Sequence, residues 1–141
     1  MTTPATAHAE IRSFGYLHSP PPPATITVDL RECLRDPHVD PALREFTGHE
    51  TPVRYAVLNT RGATGLIAHL TMLVSGLLEV SIPVSLSVGC GGGKHRAVVV
   101  AEEVAARLRL AGWPVQLHHR DVHLPVVHSG RTTDVSGEVC S

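Results

Sequence analysis

Three consecutive glycines, Gly91 to Gly93, join an alternating apolar run to a long segment free of helix breakers, and no other stretch constrains the fold as tightly. Val84, Leu86 and Val88 alternate with Ser85 and Ser87, which predicts a strand. From Ala97 to Leu110 the residues are helix-compatible and run unbroken to Gly112, which predicts a helix. A strand, glycine turn and helix in this order make an anion site. Residues without a Cβ let several N–H groups converge in front of the helix's positive end. Lys94, His95 and Arg96 add charge beside the turn. Cations in a first helical turn oppose the helix dipole, so the arrangement becomes favourable only with an anion present. The candidate ligand-binding loop is therefore Cys90, Gly91, Gly92, Gly93, Lys94, His95 and Arg96, for a phosphate or carboxylate.

The chain has 141 residues, enough for one domain that buries roughly 70% of the surface its unfolded form exposes. The expected fold class is α/β: a single domain with a mostly parallel sheet, flanking helices and the strand, Gly-rich loop and helix as its anion site. Residues 1–10 are expected to be flexible, 11–125 folded, and 126–141 a disordered tail. With 12 Lys and Arg against 13 Asp and Glu, no global field draws in nucleic acid or a membrane surface. A polyanion partner would need a local patch. Cys33, Cys90 and Cys140 are an odd number in unrelated contexts, which argues against a disulfide framework and for a reduced, cytoplasmic setting. Gly65 to Val80 is apolar but carries His69 and Glu79 and is short for a bilayer, so no membrane partner is expected.

In chain order, Ile11 to Tyr16 reads as a first strand and Ser19 to Pro23 as a stiff polyproline connector. Ala24 to Leu30 alternates as a second strand, carrying Asp29 and Arg31 to its carboxyl end, the edge where α/β sheets bind ligands. Arg35 to Arg44 is an irregular loop with two prolines, His38, Asp36 and Asp40; it suits a binding loop or a solvated surface equally. Thr51 with Pro52 predicts the cap and start of a short helix to about Leu58. Thr64 is expected to cap a longer helix whose apolar face runs through Leu66, Ile67, Leu70, Leu73, Val74, Leu77 and Leu78, with His69 and Met72 packed on it. Ile82 and Pro83 end it. Gly112 to Pro114 turns the chain into a last strand, Val115 to Arg120.

Several chemistries fit the glycine loop. Cys90 and Arg96 have the spacing of the cysteine-dependent phosphatase loop, in which a thiolate attacks phosphorus while N–H groups and the Arg hold the oxygens. Ala97 stands where such enzymes usually carry a hydroxyl, and no general acid stands out, so the primary reading is a binding site with no catalytic residue; Cys90 and Arg96 are the catalytic pair of the alternative. A P-loop is excluded, because GxxxxGK[ST] needs Gly at 88 and a hydroxyl at 95, where Val88 and His95 stand. The histidines show neither HExxH nor CxxC-type spacing, and neighbours in a strand such as His118 and His119 face opposite ways, so no metal and no cofactor are expected. A third reading is RNA binding, with Arg31, Arg35, Arg44 and Arg120 joining Lys94 and Arg96 at phosphates.

With these residues in view, the chain resembles the C-terminal domain of the bacterial RNase adapter protein family RapZ, from about Ser13 to His123. The most specific part is Gly89-Cys90-Gly91-Gly92-Gly93-Lys94-His95-Arg96, where the family typically has GCTGGKHRS. Ser13 to His18, Asp29-Leu30-Arg31, Asp36-Pro37-His38, Asp40 to Arg44, Thr47-Gly48 and His118-His119-Arg120 follow the same order. The resemblance implies a regulatory domain that binds a phosphosugar such as glucosamine-6-phosphate, and also a small RNA. It implies that Asp29, His38, Cys90, Gly91, Gly92, His95 and Arg96 touch the sugar phosphate. Three departures from the family are read from the sequence: an N-terminal P-loop domain is not expected, Gly91 replaces the usual Thr, and the segment from Val126 to Ser141 carries only Arg131, Asp134 and Glu138 as charged side chains. A separate ATPase or a second copy of the chain are the protein partners this reading leaves open.

Overall fold

The computed structural model describes residues 7–34 and 40–125, so the expected tail from 126 to 141, and Arg35 and His38, lie outside the described residues. Its elements in order are β1 (Ala9–Gly15), β2 (Ile26–Asp29), α1 (Thr51–Leu58), α2 (Ala63–Glu79), β3 (Val84–Cys90), α3 (Arg96–Leu110) and β4 (Val115–His119). The four strands form one sheet in the order β2-β3-β1-β4, with every pairing parallel. The single-domain α/β fold with a mostly parallel sheet is thus as expected. All four carboxyl ends lie along one edge.

The alternation in β1 and β3 divides the sheet into two faces. Ala9 and Ile11 of β1 with Val84, Leu86, Val88 and Cys90 of β3 point to the helices and are all at most 3% exposed. They meet Ile67, Leu70, Val74 and Leu78 of α2 and Ala97, Val100, Ala101, Val104, Ala105 and Leu108 of α3 in one core. The α3 set recurs every three or four residues, the stripe a helix needs to lie along a sheet. α1 joins by a smaller cluster, with Val53 and Val57 against Val99.

Among the described residues no helix covers the other face. The chain leaves β1 at the carboxyl edge and must begin β2 at the opposite edge, beyond β3; the proline connector makes this crossing in extended form. Its carbonyls are received by the sheet and its edge: Ser87 Oγ donates to Pro22 O at 3.4 Å, Arg12 Nη1 to Pro23 O at 3.4 Å, and Arg120 Nη1 to Pro20 O at 2.6 Å. Proline lacks an N–H but keeps its carbonyl, so it serves here as a one-sided acceptor strip.

Some boundaries and packing differ from the sequence reading. β1 starts at Ala9, so Ala9 and Glu10 are not part of a loose N-terminus; Ala9 is fully buried and its N–H donates to Pro114 O at 3.0 Å. Tertiary pairing with Val84 and Val115 supplies what the local sequence lacks. α1 is capped at Glu50, one residue before Thr51, and α2 begins after Gly62, whose φ of 90° makes it the cap in place of Thr64. His69 is exposed, Met72 is 69% exposed and Leu73 49%, so none of them packs in the core. The buried stripe of α2 is narrower than its apolar sequence implies. Among the described residues no single helix is long and apolar enough to cross a membrane.

Candidate functional site

The glycine loop leaves β3 at the carboxyl edge and is fastened on three sides. Tyr16 N donates to Cys90 O at 2.9 Å, Leu17 N to Gly91 O at 3.0 Å, and Gly48 N to Lys94 O at 2.8 Å. In a trans peptide the N–H of the next residue points opposite to the carbonyl. The amides of Gly91, Gly92 and His95 are therefore directed away from the groups that hold those carbonyls. This is the polarity of an anion-receiving loop: the fold takes the oxygens and turns the N–H groups the other way.

Two of the glycines are required by close approach. A Cβ on Gly15 would lie 2.5 Å from Gly92 C, and one on Gly93 would lie 2.6 Å from Gly15 N, with Gly93 at φ +70°. Gly92 differs, since a Cβ there meets nothing within 4 Å. Beneath the contact, Asp121 Oδ2 accepts from Gly15 N at 2.7 Å and from Arg120 Nη2 at 2.8 Å. Burial alone would raise the Asp121 pKa. The Arg120 guanidinium, the Gly15 N–H and the charges of Arg120 and His18 outweigh it and hold the carboxyl below its usual range. Asp121 is a structural anchor that the sequence reading missed; its position directly after the His118-His119-Arg120 motif was the available signal. His18 Nε2 is also buried and has no hydrogen-bond partner among the described residues.

Asp29 stands at the carboxyl end of β2, as expected, opposite Gly89 of β3. It forms a two-oxygen pair with Arg31, whose Nε and Nη2 lie 3.0 and 2.7 Å from Oδ1 and Oδ2. The Arg31 hydrogen bond keeps the Asp29 carboxyl below its usual range despite a contribution from burial, and the Arg96 charge adds to the effect. The Arg31 guanidinium also lies 3.8 Å from the centre of the Tyr16 ring, a cation–π contact. His38 belongs to residues outside the described set.

The loop cations are disposed differently from a simple basic rim. Arg96 is 3% exposed, and its Nη1 donates to Leu30 O at 3.0 Å and to Arg31 O at 3.2 Å. It ties the turn after β2, and so Asp29, to the start of α3. His95 is 5% exposed with Nε2 2.6 Å from Phe46 O. Lys94 Nζ lies 3.9 Å from an oxygen of the exposed Glu45. Arg120 caps Pro20, Ser19 and Gly15 carbonyls as well as Asp121. Cys90 is the last residue of β3 and 3% exposed. The structure thus brings Asp29, Cys90, Gly91 to Gly93, Lys94, His95 and Arg96 to one edge, with Arg31 and Arg96 in contacts within that edge.

A second grouping escaped the sequence reading. His49, Glu102 and His119 come from the segment before α1, from α3 and from the end of β4, and one ligand atom of each lies within 4.8 Å of the others. No local spacing could have shown it. Burial lowers the His119 pKa, and the charges of His49 and His118 act in the same direction, while Glu102 opposes them.

The model of the RapZ C-terminal domain matches residues 7–123. The chain is 44% identical over 119 residues to a nucleotide-binding protein of Thermobifida fusca (strain YX), covering 81% of this chain and 40% of that protein. It is 40% identical over 121 residues to a nucleotide-binding protein of Laribacter hongkongensis (strain HLHK9), covering 79% and 42%. Against a nucleotide-binding protein of Corynebacterium jeikeium (strain K411) it is 37% identical over 123 residues, covering 84% and 42%. The chain spans about two fifths of the length of the curated relatives it matches. The glycine loop, the Asp29 edge and the Asp121 anchor all fall inside the matched span, and the chain belongs to the RapZ C-terminal domain family, a family of regulatory domains.

Proposed function

We propose that this domain binds a phosphorylated small metabolite, of the glucosamine-6-phosphate type, at the carboxyl edge of the sheet, and that it senses the ligand without transforming it. The observation that carries the reading is the polarity of the loop: the carbonyls of Cys90, Gly91 and Lys94 are held by Tyr16, Leu17 and Gly48. The phosphate is received by the amides of the Gly91 to His95 stretch at the positive end of α3, with Lys94 and the buried charge of Arg96 beside it. Asp29 takes hydroxyl or amino groups of the sugar, held ionised and in place by Arg31. Arg96 works from behind, fixing the turn after Asp29 through the Leu30 and Arg31 carbonyls.

Binding is favoured over hydrolysis by the disposition of the phosphatase-spaced pair. Cys90 is enclosed at the end of β3, and the Arg96 guanidinium is turned to main-chain carbonyls. The test is calorimetric titration of the purified chain with glucosamine-6-phosphate, with glucosamine and inorganic phosphate as controls and released phosphate assayed in the same mixture. Saturable binding with no phosphate released, retained by Cys90→Ser and weakened at least tenfold by Arg96→Ala, is expected. Phosphate release that Cys90→Ser abolishes would replace the sensor by the phosphatase, and no heat with any of the three compounds would refute the site.

A further inference from the structure

We propose that His49, Glu102 and His119 form a site for a divalent transition cation of the zinc class, bound through His49 Nδ1, Glu102 Oε1 and His119 Nε2. These atoms converge on one carboxylate oxygen: His49 Nδ1 lies 2.6 Å and His119 Nε2 3.2 Å from Glu102 Oε1. Two imidazoles and one carboxylate are the donor set that borderline ions of this class prefer. Ligand atoms around an ion with bonds of about 2.1 Å stand about 3.4 Å apart in tetrahedral geometry. The His49 contact must open slightly to reach that spacing. His49 is able to do so, since its side chain is 42% exposed and lies ahead of α1, whereas Glu102 and His119 are held on α3 and β4.

The surrounding groups have the form of a supporting shell. Ser13 Oγ lies 2.6 Å from His119 Nδ1; Ser13 stands opposite His119 in the sheet and is wholly buried. When Nδ1–H donates to that hydroxyl, the Nε2 lone pair faces Glu102, the tautomer a metal requires. Nε2 is itself buried and makes no well-directed hydrogen bond among the described residues, despite the nearby carboxylate. Arg54 Nη1 holds the other Glu102 oxygen at 2.8 Å, and Arg54 also pairs with Glu103. One Arg between two carboxylates leaves one negative charge to meet the ion. The His123 ring lies 6.3 Å from that of His49. His118, whose charge reaches His119, is exposed and one residue out of phase along β4.

The experiment is calorimetric titration of tag-free, chelator-treated protein with zinc chloride, paralleled by visible absorption with cobalt(II) as a coordination probe. One ion per chain is expected, with nitrogen- and oxygen-ligated cobalt bands of low coordination number. His49→Ala and His119→Ala should each weaken binding about a hundredfold, and His118→Ala should leave it unchanged. His49 is exposed, so its variant keeps the fold, which circular dichroism verifies. Ion binding that is absent, that exceeds one per chain, or that is as strong in His49→Ala as in the unaltered chain would overturn the site and leave the cluster as an internal ion-pair network.

Discussion

Replacing Gly93 by Ala, beside the same change at Gly92, tests the packing under the loop. At Gly93 the new methyl would lie 2.6 Å from Gly15 N, 2.8 Å from Phe14 C and 3.0 Å from Asp121 Cβ, at a φ of +70°. The left-handed backbone costs an Ala about 1–2 kcal/mol. Forcing a methyl against main-chain atoms that cannot rotate away costs about 1–3 kcal/mol more. Ala lowers the entropy of the unfolded chain, returning about 0.4–1 kcal/mol. The net loss is about 1–4.5 kcal/mol, or on the order of 10 °C in melting temperature for a domain of this size. At Gly92 nothing stands within 4 Å of the added methyl, and no positive φ is required. That variant should melt within about 2 °C of the unaltered protein, by the same conversion. Thermal unfolding followed by circular dichroism measures both. If Gly93→Ala melts with Gly92→Ala, the close approach of the loop to Gly15 is not a feature of the folded protein and the account of the loop's rigidity fails.

Further outcomes follow from Asp121 and Asp29. Asp121→Asn keeps an acceptor for the Gly15 N–H but removes the charge facing Arg120; the loss should be about 1–3 kcal/mol by urea denaturation, typical of a hydrogen bond to a charged group. An unchanged midpoint would contradict the anchoring role. Asp29 has a folded pKa below its ordinary value, because its Arg31 hydrogen bond favours the carboxylate, so it stays ionised across pH 5 to 8 and is protonated only as the pH falls through the lowered folded value. Across pH 5 to 8 Asp29 therefore adds no titration of its own, and the second phosphate ionisation, near pH 6, weakens phosphosugar binding as the pH falls. Asp29→Asn should lower affinity at every pH and leave the shape of that profile intact; a flattened profile would assign the titration to Asp29 instead.

Much of the site was legible in the sequence because its signals are local. The alternation of Val84, Leu86 and Val88, the glycine run and the unbroken segment to Leu110 each determine backbone behaviour within a few residues, and they place the loop at the sheet edge. The orientation of Arg96 was not legible. Its partners, the carbonyls of Leu30 and Arg31, are more than sixty positions away and belong to a turn with no fixed geometry of its own. The same holds for His49, Glu102 and His119, which share no spacing and meet only because β1 aligns Ser13 with His119 beneath α3. Met72 and Leu73 were misplaced for a different reason. α2 is apolar on more of its surface than the sheet and α3 cover, so periodicity alone does not distinguish the packed stripe from its margins.

The position of β1 in the middle of the sheet also sets the order in which the molecule can be assembled. β1 is the first strand among the described residues, yet its neighbours are β3 and β4, and Ser13 meets His119 across 106 positions. A ribosome adding roughly 5–20 residues per second needs on the order of 5–20 s to pass from one to the other. For most of that interval, until β3 is made, β1 has neither of its ladder partners, and α1 and α2 are complete before either partner arrives. The sheet therefore closes late and in two steps: β3 delivers the glycine loop against Gly15, and β4 then brings Asp121 beneath it. The carboxyl edge with its glycine loop is the last part of this fold to be completed.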